Sequence, residues 1–268
     1  MAFLLEVSHL SKTFYTTPSL SQLFRGKRRK SAFPILTDVH LNLEEGELYC
    51  LMGPNGSGKT TFLKILCGLI LPDTGIIRLS GKTLPPDHPR LRAAFGLVTG
   101  EERSFYWRLT GRQNLEFFSA FYPMTRKKAR EQIEELSNFF QMESYLDKFF
   151  FIYSTGMKQR LGLCRGLLGD PKILFLDEPT RSLDPTAAEE WRHFLRKVLL
   201  EKKKKTILYT THHVEEAEGF SNRIGILHRG RLVVEGDSAT LRKKTTLTES
   251  ASLFEVFQKV TKEATDAP

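Results

Sequence analysis

Short apolar runs, each closed by glycine or polar residues, recur along the chain. They are "ELYCLM" (Glu47–Met52), "IIRLS" (Ile76–Ser80), "ILFLD" (Ile173–Asp177), "TILYTT" (Thr206–Thr211) and "RIGIL" (Arg223–Leu227). Their length and their glycine or polar boundaries predict strands. Between several of them the pattern changes to a helical period, as in "TAAEEWRHFLRKVLL" (Thr186–Leu200). Strands alternating with helices predict βαβ units around a mixed, mainly parallel sheet, hence an α/β core. From Thr99 to about Gly169 the texture differs: helix formers and aromatics dominate, with a helical period in "NLEFFSAFY" and "RKKAREQIEELSNFF". This segment reads as a helical subdomain inserted into the core. Beyond Asp237 the chain is polar, with "ATLRKK" and "SLFEVFQKV" as short amphipathic helices. The expected organisation is one domain over 1–268, with a core at 1–98 and 170–236, a helical subdomain at 99–169 and a helical tail at 237–268.

Composition narrows the class. With 268 residues, 40% hydrophobic and 26% charged, the chain matches a globular protein of one large domain and excludes disordered and fibrous classes. No window of eighteen uncharged apolar residues occurs, so no membrane-spanning helix is expected. The start "MAFLLEVSHL" acquires Glu6 at once and alternates like a strand, unlike a signal peptide, which points to the cytoplasm. Cys50, Cys67 and Cys164 each follow an apolar residue and have no C-x-x-C spacing, as reduced core residues do. The net charge of +9 concentrates in "RGKRRK" (Arg25–Lys30) and "KKKK" (Lys202–Lys205). Nucleic acid, anionic lipid and nucleotide would each satisfy such a charge; the second run reads as a solvated loop.

The chemistry is carried by "GPNGSGKTT", Gly53 to Thr61, which matches G-x-x-x-x-G-K-[ST] between an expected strand and the helical run "FLKILCGLI". Glycines 53, 56 and 58 let the backbone turn so that successive N–H groups face an anion at a helix start. Pro54, Asn55, Ser57 and Thr61 complete the loop. Lys59 supplies a point charge for β- and γ-phosphates, and the Thr60 hydroxyl suits Mg²⁺. Downstream, "KILFLDEPT" (Lys172–Thr180) is an apolar strand ending in two acids. Asp177 at its tip suits Mg²⁺, and Glu178 is placed to orient or deprotonate the water that attacks the γ-phosphate.

The order of motifs resembles the ATP-binding subunits of ABC transporters, from about Leu5 to Gly236. In the place of that family's L-S-G-G-Q signature stands "YSTGM" (Tyr153–Met157); "SLD" (Ser182–Asp184) is similar to its D-loop, and His212 in "TTHH" matches its switch histidine. The resemblance implies a P-loop NTPase core with an N-terminal antiparallel β subdomain. It also implies ATP and Mg²⁺ as ligands and two subunits packed head to tail, so that Ser154 and Gly156 of one close over ATP on the phosphate loop of the other. A hydroxyl, a bare backbone and a positive helix end suit a γ-phosphate. His212 would contact that phosphate and Asp184 would lie at the dimer interface. Phe14, or in second place Tyr15, would stack on adenine. The pattern departs from the family at Tyr153, Thr155 and Met157, which replace Leu, Gly and Gln. It departs again at Glu101, which stands where the family has Gln; Glu still offers Mg²⁺ an oxygen but cannot donate a hydrogen bond.

A lone domain of this kind most resembles the engine of a transporter whose permease is a separate membrane protein, the subunit sitting peripherally on the cytoplasmic face. "LTGRQNLEFFSAFY", "GRLVVEGDSATLRKK" and "SLFEVFQKV" are similar to multidrug or polysaccharide exporters. The insertion from Tyr15 to Pro34 fits either a membrane-surface segment or a solvated basic loop. Homodimer and heterodimer both remain open. An ATPase acting on nucleic acid is the alternative, motivated by the charge, but no helix-turn-helix, zinc or base-stacking motif supports it.

Overall fold

The computed structural model describes residues 3–16, 31–99, 105–181, 183–202, 204–245 and 251–266. Glu101 and the basic run Arg25–Lys30 lie outside the described residues. Numbered in chain order, strands β1 (Leu5–Thr16), β2 (Ser31–Leu43), β4 (Thr74–Leu79) and β5 (Lys82–Leu84) form an antiparallel sheet in the order β2-β1-β4-β5. A second sheet runs β10 (Arg231–Gly236), β9 (Arg223–His228), β3 (Leu48–Met52), β8 (Thr206–Thr211), β7 (Ile173–Asp177) and β6 (Phe95–Thr99). Its strands are parallel except β10, which returns antiparallel beside β9.

Strand β3 shows why the second sheet sits in the middle of the molecule. Leu48, Cys50 and Met52 point into one apolar cluster, while Tyr49 and Leu51 point into another. A strand apolar at every position must be covered on both faces. One cover is helix α1 (Lys59–Leu66), through Phe62, Leu63, Ile65 and Leu66, together with Leu5, Val7, Leu41 and Leu43 of the antiparallel sheet. The other is built by α3 (Gly111–Ser119), α4 (Arg126–Phe139), α5 (Thr155–Leu167), α6 (Pro185–Phe194) and α7 (Val214–Phe220), with the C-terminal α9 (Leu253–Asp266). Two short helices, α2 (Pro89–Ala94) and α8 (Ser238–Lys244), complete the described α-helices. Burial pushes the thiols of Cys50 and Cys67 up to about 12, and all three cysteines are free.

Helix starts follow the side-chain chemistry. Thr110 and Gln113 form a reciprocal capping box at α3, and Thr125, Ser154, Asp184 and Asp237 cap α4, α5, α6 and α8. Helix α1 begins instead at Gly58, with no side-chain cap.

Three local features differ from the sequence pattern. Strand β6 occupies "FGLVT", which carries no strong strand signal; Gly96 is there because α5 crosses so closely that a Cβ at 96 would stand 2.1 Å from the Gly166 carbonyl oxygen. The helix expected to end at Leu200 is α-helical only to Phe194 and continues as a π-helix over Leu195–Lys202. Lys205 is no solvated loop residue: it is mostly buried and donates to Asp170 Oδ1 at 2.6 Å and to the Pro171 carbonyl at 2.8 Å.

Because the obstacle at Gly96 is backbone, Gly96→Ala is expected to lower unfolding stability by about 1–3 kcal/mol, the range for forced overpacking. Urea unfolding of the two proteins checks this, and equal midpoints would show that α5 and β6 separate without cost.

Candidate nucleotide site

The C-terminal ends of β3, β7 and β8 lie side by side, Met52 paired with Thr211 and Asp177 with Thr210. Ligands of open α/β sheets gather at such ends. From β3 the chain turns through Gly53–Gly58 into α1. Gly56 and Gly58 have φ of +79° and +108°, where a side chain would be strained, and a Cβ on Gly53 would stand 2.2 Å from the Leu227 carbonyl oxygen. The loop therefore leaves the N-terminus of α1 open, with its first N–H groups unspent on a cap.

Lys59 is only 5% exposed. Its ammonium donates to the Gly53 and Pro54 carbonyls at 2.7 and 3.2 Å and stands 3.8 Å from Glu178 Oε1. Burial pulls its pKa down, and the charges of Glu178 and then Asp177 oppose that shift. Ser57 is buried with no hydrogen-bond partner for its hydroxyl, a polar atom the fold itself does not satisfy.

Asp177 ends β7 and accepts from two hydroxyls, Thr60 Oγ1 to Oδ2 and Thr210 Oγ1 to Oδ1, both at 2.7 Å. The next residue, Glu178, has φ +47°, a left-handed conformation that is uncommon for a side-chain-bearing residue and clusters at functional sites. Its N–H donates to Thr210 Oγ1 at 3.0 Å. Its Oε1 lies 3.2 Å from His212 Nδ1; Oε2 is buried without a hydrogen bond, with the Arg181 guanidinium 3.4 Å away. Behind these groups Glu216 on α7 accepts from Thr180 Oγ1 at 2.6 Å and Thr211 Oγ1 at 2.7 Å. It ties the turn after Glu178 to the strand end before His212.

One cavity contains most of these groups, lined by Asn55 through Thr61, Asp177 and Glu178, with Ile35, Lys64, Thr99 and Arg181 added. Sequence reasoning missed the last four. Arg181 had a signal, since a cation three residues after Glu178 in a turn can fold back onto it; Ile35 and Thr99 had none, because they arrive through sheet pairing. A bare-backbone loop, an uncapped helix start and the Lys59 ammonium fit a polyphosphate. The hydroxyl and carboxylate oxygens of Thr60 and Asp177 fit a hard, oxygen-seeking divalent cation.

Other expected residues lie elsewhere. Phe14 is on β1 with Phe33 as its β2 partner and Lys12 Nζ 5.5 Å over its ring; it is 40% exposed and does not line the cavity. Ser154 caps α5 by accepting from Met157 N–H at 3.3 Å, and Asp184 caps α6 by accepting from Ala187 N–H at 3.0 Å. Neither they nor Gly156 line the cavity with Lys59; Gly156 borders a separate one between α5 and α6. Tyr153 has a structural reason to replace Leu: its ring is buried, its hydroxyl donates to the Tyr145 carbonyl at 2.8 Å, and a Cβ on Gly111 would stand 2.1 Å from the Tyr153 hydroxyl oxygen.

Comparison with known proteins identifies the family. The ABC transporter family model matches residues 36–181, more than half of the chain. The ABC transporter ATP-binding protein NatA of Bacillus subtilis (strain 168) is 32% identical over 82% of this chain and 88% of its own. The Nod factor export ATP-binding protein I of Burkholderia orbicola (strain AU 1054) is 40% identical over 75% of this chain and 66% of its own. Among solved structures, the dimeric post-hydrolysis state of the ATP-binding cassette MJ0796, bound to ADP and Pi, superposes with a TM-score of 0.69 at 26% identity, covering 87% of this chain and 98% of that one. The chain belongs to the ABC transporter family, as an ATP-binding, ATP-hydrolysing subunit.

Proposed function

We propose that two copies of this chain, or this chain and a related subunit, close head to tail around two MgATP and so drive a separate membrane permease, in the direction of export. The observation that carries this reading is the division of phosphate-binding groups. Lys59 and the loop line one cavity, while Ser154 and Gly156, at a helix start equally suited to a phosphate, are outside it. A second subunit would bring the two halves together.

Within one copy the loop N–H groups and Lys59 bind the β- and γ-phosphates, and releasing Lys59 from the Gly53 and Pro54 carbonyls frees its charge for them. Thr60 and Asp177 hold Mg²⁺, with Glu101 as a further ligand; the ion neutralises phosphate charge when bound. Glu178 takes the proton of the attacking water at its carboxylate. His212, 3.2 Å from Oε1, orients that carboxylate and contacts the γ-phosphate. Phe14 stacks on adenine, and Asp184 faces the partner.

The permease reading is supported by exposed aromatics on and beside α3 and before α5, namely Tyr106, Trp107, Phe117, Phe121, Phe149 and Phe151. Tyr106, Phe117 and Phe121 touch ring to ring, as do Phe149 and Phe151, and clustered exposed apolar side chains mark interaction surfaces. No helix among the described residues is long and apolar enough to cross a membrane, so a separate protein would supply the pore, with this chain peripheral on its cytoplasmic face. Export is favoured by the relative named for Nod factor export.

Replacing a general base costs roughly 10²–10⁴-fold in rate. Glu178→Gln is expected to lose phosphate release to that extent while forming an ATP-dependent dimer on size-exclusion chromatography. Retained hydrolysis would remove Glu178 as the base. Gly156→Ala separates the shared site from a simple helix start, because a Cβ there meets nothing within 4 Å in the single chain. Its melting temperature should match or slightly exceed wild type, while ATP turnover falls at least about tenfold if a phosphate of the partner approaches that backbone. Unchanged turnover would show that Gly156 faces no nucleotide.

A further inference from the structure

A second group of ligand-bearing side chains lies on the antiparallel sheet and takes no part in the nucleotide site. Asp38 Oδ1 is 2.8 Å from His9 Nδ1 and 3.1 Å from His40 Nε2, and the two imidazole rings meet edge to face with centroids 4.3 Å apart. One ligand atom from each residue lies within 4.8 Å of the others, and all three side chains are exposed. Among the described residues no other group of His, Cys, Asp and Glu meets that spacing.

The backbone is bent to make this meeting. The β1–β2 register breaks between Val7 and Leu10 and again between Leu10 and Lys12, and the β1–β4 register breaks between Ser8 and Ser11, so His9 sits in a bulge. Bulges re-aim side chains. His9 and Asp38 both adopt left-handed φ, +54° and +52°, a conformation that costs free energy in residues other than glycine. Each is tethered: Asp38 N–H donates to Ser11 Oγ at 3.0 Å, and the His9 carbonyl accepts from Thr74 Oγ1 at 3.2 Å. Asp38 and His40, two apart on β2, share one face while Val39 and Leu41 are buried on the other. His9, followed by burial and His40, governs the Asp38 carboxyl, whose net shift is below the usual carboxylate range.

We propose that His9, Asp38 and His40 form a binding site for one divalent transition-metal ion of the zinc class, separate from the Mg²⁺ of the nucleotide site. Two imidazoles and one carboxylate are a donor set that zinc, cobalt and nickel accept and that magnesium does not favour. Metal–ligand bonds of roughly 2.0–2.2 Å in a tetrahedron put ligand atoms about 3.3 Å apart. The two separations to Asp38 Oδ1, 2.8 and 3.1 Å, need to open by only a fraction of an ångström, and the two imidazoles, exposed and with ligand atoms within 4.8 Å of each other, turn to complete the set. Exposure leaves the remaining coordination to water and gives the ion a path in. A bound ion would join β1 to β2 across their bulges.

The test uses the full chain made without a polyhistidine tag, treated with chelator, and titrated with Zn²⁺ by calorimetry in the absence of nucleotide. The three cysteines are buried and do not compete in the folded protein. One equivalent should bind, excess Mg²⁺ should not displace it, and binding should weaken at least about tenfold in His9→Ala and in His40→Ala. His193→Ala, an exposed histidine elsewhere, should bind as wild type does. Zn²⁺ should also raise the melting temperature of wild type but not of the two site variants. Both substitutions are at exposed positions, and metal-free melting curves matching wild type would confirm that they fold. No saturable binding, or one equivalent that survives both substitutions, would overturn the proposal and leave the cluster as a hydrogen-bonded surface triad.

Discussion

A single carboxylate joins three parts of the chain that are far apart in sequence. Asp177, at the end of β7, takes one hydroxyl from Thr60 at the head of α1 and another from Thr210 at the end of β8. The phosphate loop, the acidic strand end and the strand leading to His212 are held in one register by those two bonds. Bonds to a charged acceptor are stronger than neutral ones, and here they lie at the margin of a core that is apolar on both faces. The core fixes the strands; the carboxylate fixes what stands on their ends. Glu216 repeats the device one layer back, holding Thr180 and Thr211.

The division of labour between backbone and side chain explains which parts could be read from sequence. The phosphate loop was legible because its requirements are local: glycines where φ is positive or where Leu227 approaches, then lysine and threonine on the first turn of a helix. The acidic strand was legible by its order after that loop. Ile35, Thr99 and Lys64 were not, since their place at the cavity comes from sheet pairing and helix packing. Strand β6 was missed for a related reason. Its glycine weakens the strand pattern, yet it is needed for the passage of α5, a contact 70 residues away in sequence (166 − 96). Likewise the π-helical stretch at Leu195–Lys202 has no signature in the apolar periodicity that marked the helix.

In the helical segment between β6 and β7, a departure from the L-S-G-G-Q pattern has a reason in packing. Tyr153 replaces a leucine, but its ring is buried and its hydroxyl bonds the Tyr145 carbonyl, packed against the start of α3. The change serves the interior of the segment, while Ser154 still caps α5 and Gly156 still offers open backbone. His9, Asp38 and His40 present the reverse case: scattered in sequence and unremarkable singly, they meet only because two strands bulge at the same place.

The left-handed backbone at Glu178 has a consequence for how such a chain changes over generations. Holding a side chain in that conformation costs of order 1–3 kcal/mol, and the residue that removes the cost most completely is glycine, which also removes the carboxylate. The same change would strip the buried Lys59 ammonium of the carboxylate 3.8 Å away, so relief of the backbone and loss of the charge partner oppose each other. A variant that drops the acid thus trades one local cost for another, and a chain can hold this position under strain because the charge beside it needs an anion.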